Sequence, residues 1–265
     1  MKSAWIAAAL LMSANGCLAD APSNARFPNP AAYAEMEVAA EWQSLAASHV
    51  RQARKANTLY LDPAWNARVD TVVSAIGAAA ASLYPRFANT SWRAILIDDF
   101  GHGAVAFPDG TLLVDAKFMR RLDVTDDELA LVVAHEVAHV VADHLSERLS
   151  FMAQYLGKDK VPTAHSALME FIAQDSYAVM FEPTARLQER EADAIGAVIL
   201  CASGYDARRA LELFDKLTQL DPSQGALNGS THDTATARRR AVFEVIEGLQ
   251  RPPAHGPVRT AVTAN

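Results

Sequence analysis

The segment His135-Glu136-Val137-Ala138-His139 carries the residue types and spacing best suited to chemistry. On a helix, residues four apart project within about 40° of one another, so both imidazoles face one point. Ring nitrogens so placed can ligate zinc, and Glu136, one residue round from His135, flanks the metal where it can take a proton from bound water. Leu129, Val132 and Val133 precede the motif and Val140 and Val141 follow it, so its helix is expected to be mostly buried. Burying two histidines and a glutamate without partners would be costly, which argues for a cation between them.

A catalytic zinc takes a third protein ligand and keeps one position for water. His144 lies about 180° from His135 on an ideal helix. Metzincin spacing would call for histidine one residue later, where Leu145 stands, so His144 is expected to be structural or exposed. The better candidate is in Leu187-Gln188-Glu189-Arg190-Glu191-Ala192-Asp193. There Glu189 and Asp193 share a helical face while Glu191 points nearly opposite. Glu189 can be the third ligand, and Asp193 can hold a ligand histidine by a hydrogen bond from behind.

These side chains need a scaffold. Thr125 and Glu128 form a Thr-x-x-Glu capping box, so the motif helix is expected to start at Thr125 and run to about Leu145. Pro183 is placed to open the helix of Glu189, and Gly204 to end it. Asp206 can cap a further helix through Leu217, and residues 234–249 read as the last one. Before the motif, residues 31–57 carry Met36, Val38, Trp42, Leu45 and Val50 near helical spacing, and a second helix follows Asp62-Pro63. Both are expected to be packing scaffold. Residues 92–97, 103–107 and 111–114 are β-prone, and the last two flank the turn Pro108-Asp109-Gly110, which predicts three strands. The fold class is therefore α+β, mainly helical, with a small three-stranded sheet beside the zinc-binding helices. Residues 146–182 read as mixed helix and loop. Tyr155, Phe171, Tyr177 and Phe181 fall there at irregular spacing, which favours core packing over a lid.

Of 265 residues 51% are apolar, enough for one sizeable core, and 24 basic against 31 acidic residues give a formal charge of -7. That charge excludes a basic face for nucleic acid. Lys2, the apolar residues 4–12 and the small residues that follow read as a signal peptide over residues 1–19. Gly16-Cys17 resembles the end of a lipobox, so the alternative is a lipoprotein signal ending before Cys17. Residues 20–30 are a tether, residues 31–249 one folded domain, and residues 250–265 a tail expected to be disordered. The protein is expected to be exported, touching a membrane only through a lipid anchor at Cys17. Cys201 is the other cysteine, expected to be a buried core thiol without an intramolecular disulfide.

His-Glu-x-x-His with a later Glu-x-x-Ala-Asp resembles the gluzincin metallopeptidases of the HtpX and CAAX-prenyl-protease type, whose soluble members include periplasmic quality-control peptidases. Residues 103–110 resemble the family's strand and turn before the motif helix, with Gly103 for the usual asparagine and Asp109 for a glycine. Arg186 matches an arginine three residues before the third ligand. Ser230-Thr231-His232, with Arg238 six residues on, resembles a Thr-His-Pro segment and its arginine, with Asp233 in place of the proline. The resemblance covers about residues 60–249.

It implies a zinc metalloendopeptidase with one Zn2+ per chain, held by His135, His139 and Glu189, with Glu136 as base and acid. His232 would donate to the oxyanion or occupy the fourth metal position in a latent state. Arg238 would pair with Asp193 from behind. Gly103, Ala104, Val105 and Ala106 would form an edge strand to which an extended substrate adds by main-chain hydrogen bonds. The implied partners are unfolded or misassembled envelope proteins, and the implied location is the periplasm. Two other readings stand beside this one: a periplasmic chaperone-like binding protein with a latent zinc site, and a zinc hydrolase acting on a non-peptide bond.

Overall fold

The computed structural model describes residues 31–173, 175–220 and 234–250. The signal peptide, Cys17, the tether, His232 and the C-terminal tail lie outside the described residues.

Val38, Trp42, Ala46 and Ala53 recur at helical spacing and form the buried stripe of α1 (Glu35–Ala56), which ends where Asn57 takes a left-handed φ of 55°. Asp62 opens α2 (Pro63–Leu83). Its side chain accepts from the Trp65 N–H, and Pro63 sits in the first turn, where its missing N–H costs nothing. Three strands follow: β1 (Arg93–Ile97), β2 (Ala104–Ala106) and β3 (Thr111–Asp115). Their order is β1-β3-β2, with β1 parallel and β2 antiparallel to β3.

The middle strand is buried along its whole length because both its faces are covered. Leu112 and Val114 join one hydrophobic cluster, and Leu113, pointing the other way, joins a second. The first cluster holds α2 and the motif helix. The second is closed by α1, with Trp42 packed among Leu149, Met152 and Leu168.

After the short α3 (Ala116–Arg121), the capping box at Thr125 is present in full and α4 (Asp126–Val141) begins. This helix stops four residues earlier than its apolar pattern suggests. Asp143 adopts a left-handed φ of 60°, and α5 (His144–Leu156) leaves at 49° to α4. The Arg86 guanidinium donates to the carbonyls of Val140 and Val141, satisfying backbone groups that the broken helix leaves over.

Next come α6 (Ala164–Ala173) and α7 (Asp175–Ser203). Pro183 does not open α7 but lies inside it. Phe181, 2% exposed, packs edge-on against Phe151 and Phe171 and anchors the turn before the proline. Aromatic packing therefore outweighs the proline's preference for a helix start. Gly204, at φ 92°, ends α7 as expected. The helix capped by Asp206 is split at Leu211 into α8 (Ala207–Ala210) and α9 (Glu212–Leu220). The last helix, α10 (Ala235–Gln250), packs Arg238, Val242 and Ile246 inward. No single helix among the described residues is long and apolar enough to cross a membrane.

Cys201 is half-buried on α7, and burial pushes its thiol up to about 11. At pH 8 only about a thousandth of such a thiol is thiolate. Labelling of Cys201 by a maleimide is expected to be slow at pH 8 and to rise about tenfold per pH unit until the protein unfolds. Peptide mapping of labelled protein over a pH series measures this.

Candidate metal centre

Between positions 128 and 141 every residue of α4 is buried except Glu136, which keeps partial access to solvent. A helix sealed elsewhere thus opens at the one carboxylate of its His-Glu-x-x-His segment. His135 Nε2 and His139 Nε2 lie 3.2 Å apart beneath it.

Glu189, projecting from α7, completes the cluster. Its Oε2 is 3.2 Å from His135 Nε2 and its Oε1 3.4 Å from His139 Nε2. Among the described residues, His135, His139 and Glu189 form the group able to hold a metal ion. A tetrahedral zinc with donors at about 2.0–2.2 Å sets those donors about 3.3–3.6 Å apart. The spacing and the two-imidazole, one-carboxylate chemistry therefore fit that ion.

Burial lowers an imidazole pKa, and at His139 it dominates, pushing the ring down to about 3, so the ring offers a lone pair at neutral pH. At His135 burial is outweighed by hydrogen bonds to Asp193 and Glu189, which raise it to about 10. A cation at Nε2 competes with that proton, so binding releases it. Burial, helped by the nearby Glu189, pushes Glu136 up to about 7, against the opposing effects of His135 and of the Ala106 backbone N–H that it accepts.

Behind His135, Asp193 Oδ1 lies 3.0 Å from Nδ1. Arg238, 4% exposed, grips Asp193 with two donors, Nε at 2.8 Å and Nη2 at 2.7 Å. Burial alone would raise the Asp193 carboxyl, but Arg238 and His135 hold it well below the usual carboxylate range. Arg238 Nη2 also lies 3.4 Å from His135 Nδ1.

Of the proposed substrate strand, Ala104, Val105 and Ala106 form β2, at the sheet edge among the described residues. Gly103 precedes the strand at φ 65°, and its carbonyl accepts from the Asp115 N–H at 2.7 Å. Arg186 is ion-paired with Glu182 one turn earlier.

Three residues at the site escape sequence reasoning. His144 is neither exposed nor on the far side of α4. The break at Asp143 starts a new helix and returns it, fully buried, to within 2.8 Å of His139. Arg148, on α5, turns its charge towards Glu189 and Glu136, and its Nε donates to Gln188 Oε1 at 3.3 Å.

Gly196 is where α7 meets α4. A Cβ there would stand 3.1 Å from the backbone N and Cα of His135. Its position two helical turns after Glu189 is the signal that could have found it. Gly196→Ala is expected to cost about 1–3 kcal/mol of stability through overpacking, despite alanine's helix-propensity advantage. Urea unfolding of the two proteins measures it.

Comparison with known proteins places this geometry. The profile of Peptidase family M48 matches residues 63–245, from the start of α2 into α10. Mitochondrial metalloendopeptidase OMA1 of Arabidopsis thaliana is 26% identical over 164 residues, 58% of this chain and 31% of the relative. The OMA1 of Schizosaccharomyces pombe is 26% identical over 165 residues, 60% of this chain and 48% of the relative. Beta-barrel assembly-enhancing protease of Yersinia pestis is 27% identical over 180 residues, 64% of this chain and 36% of the relative. The chain spans about a third to a half of the length of these relatives. With more than half of its residues under one family profile, the chain belongs to Peptidase family M48.

Proposed function

We propose that the protein is a zinc metalloendopeptidase that hydrolyses peptide bonds in extended or misfolded exported proteins. The observation that carries the proposal is Glu136, the one residue of α4 between positions 128 and 141 that keeps partial access to solvent, beside the spacing of His135, His139 and Glu189. Those three residues would hold one zinc per chain. When bound, the ion polarises the scissile carbonyl and acidifies a water molecule. Glu136 is placed to take a proton from an attacking water and to deliver it to the leaving amine. Asp193, clamped by Arg238, keeps the His135 ring oriented with Nε2 towards the ion.

The extended substrate adds to the edge strand β2, antiparallel pairing supplying main-chain hydrogen bonds with little side-chain preference. Such a mode suits unfolded chains. His232, outside the described residues, is proposed as a donor to the oxyanion or as a gate on the fourth ligand position. Export to the periplasm, with or without a lipid on Cys17, is supported by the charged and apolar segment at residues 2–12. The resemblance to the beta-barrel assembly-enhancing protease of Yersinia pestis favours misassembled envelope proteins as substrates.

The test is cleavage of an unfolded polypeptide such as casein by the purified chain, before and after chelation. Activity is expected to vanish with a zinc chelator and to return with about one equivalent of Zn2+. A zinc-loaded protein that leaves casein intact while suppressing aggregation of a heated client would favour the chaperone-like function instead.

A further inference from the structure

The end of α4 holds a second histidine arrangement. His144 is 0% exposed, and its Nδ1 lies 2.8 Å from Nδ1 of His139, the rings meeting nearly edge to face at 4.9 Å between centroids. Its other nitrogen, Nε2, lies 3.4 Å from Glu191 Oε2. The local backbone is fixed on several sides. Asp143 holds its left-handed turn with Ser146 Oγ donating to Asp143 Oδ1 at 2.8 Å, and Gln188 Nε2 donates to the His144 carbonyl at 3.4 Å.

We infer that His144 is a positioning residue for His139, an acceptor that fixes that ring's tautomer and aims its Nε2 at the metal, with Glu191 orienting His144 in turn. The inference rests on the proposed ligand set of His135, His139 and Glu189.

Proton bookkeeping allows one arrangement. A neutral His139 that ligates through Nε2 must carry its proton on Nδ1. That N–H points at His144 Nδ1, which must therefore accept. A neutral His144 then carries its own proton on Nε2, facing the Glu191 carboxylate. Reversing the first bond would put a proton on His139 Nε2, where the ligand lone pair is needed. The two ligand histidines are thus supported differently. His135 donates directly to a carboxylate locked by Arg238, whereas His139 donates to an imidazole backed by a half-buried carboxylate.

Groups that orient ligand histidines in this way change metal affinity about 10–100-fold when removed. The test compares the full chain with His144→Asn and His144→Gln. Asparagine places an acceptor near the position of Nδ1, whereas glutamine reaches the position of Nε2 and leaves the His139 N–H without its acceptor. Zinc affinity is measured by competition with a chromophoric chelator, the visible absorption of the cobalt(II)-substituted site is recorded, and the melting temperature is taken without metal.

The asparagine protein is expected to bind zinc within about threefold of the unmodified chain. The glutamine protein is expected to bind about 10–100-fold more weakly with altered cobalt bands, while the two variants melt alike without metal. Equal zinc affinity in the two variants, at whatever level, overturns the inference. Failure of the unmodified chain to bind zinc overturns the ligand set, and this inference with it.

Discussion

Glu136→Gln is expected to reduce kcat/KM on an unfolded substrate by at least about 10³-fold while zinc affinity stays within a few-fold of the unmodified protein. Glu136 does not belong to the His135, His139 and Glu189 ligand cluster, so its loss leaves the donor set intact. What it loses is the base. Glutamine keeps the size of the side chain and can still face the Ala106 N–H, so the fold around β2 should hold. The proton of the attacking water then has no acceptor at the open side of α4, because the other positions from 128 to 141 are sealed. Steady-state kinetics with a fluorogenic peptide, alongside metal analysis of the same preparation, measures both quantities. Activity within tenfold of the unmodified enzyme would mean that another group serves as base.

Arg238→Leu is expected to give the largest loss of stability, about 3–5 kcal/mol by urea unfolding without metal. Its guanidinium holds both oxygens of Asp193, and both side chains are almost wholly buried. Removing the cation leaves the buried Asp193 carboxylate with His135 as its remaining charged neighbour and takes away the guanidinium that sits 5.5 Å over the Phe214 ring. A buried charge without its partner costs more than the pair was worth. The double change Arg238→Leu with Asp193→Asn is therefore expected to recover part of the loss. Zinc affinity should fall in both, since the His135 ring loses its carboxylate or the clamp that fixes it. A single variant within about 1 kcal/mol of the unmodified protein would contradict this picture of the pair.

Local patterns made much of this molecule readable in advance. The capping box at Thr125, the Asp62-Pro63 start and the Gly204 stop act over a few residues, and each has its expected structural counterpart. Helical angles pair His135 with His139 and Glu189 with Asp193, and the need of a buried two-histidine motif for a third ligand points to Glu189. Angles fail where a helix does not continue. His144 was set aside on the premise that α4 runs past Val141. One left-handed residue, Asp143, with Arg86 reaching 54 positions along the chain to the last carbonyls, invalidates that premise. Pro183 inside α7 is likewise decided by Phe181 meeting Phe151 and Phe171, a contact that local propensity does not encode. Arg148 and Gly196 act across helix pairs, so only the packed structure reveals them, although the seven-residue step from Glu189 to Gly196 was there to be counted.

The central claim is that two imidazoles of α4 and one carboxylate of α7 hold a zinc ion under Glu136. Diffraction from zinc-loaded crystals at the zinc absorption edge tests it most directly. One strong anomalous peak per chain is expected, about 2.0–2.2 Å from His135 Nε2, His139 Nε2 and a Glu189 oxygen. A peak elsewhere, or one ligated by His144 in place of Glu189, would contradict it.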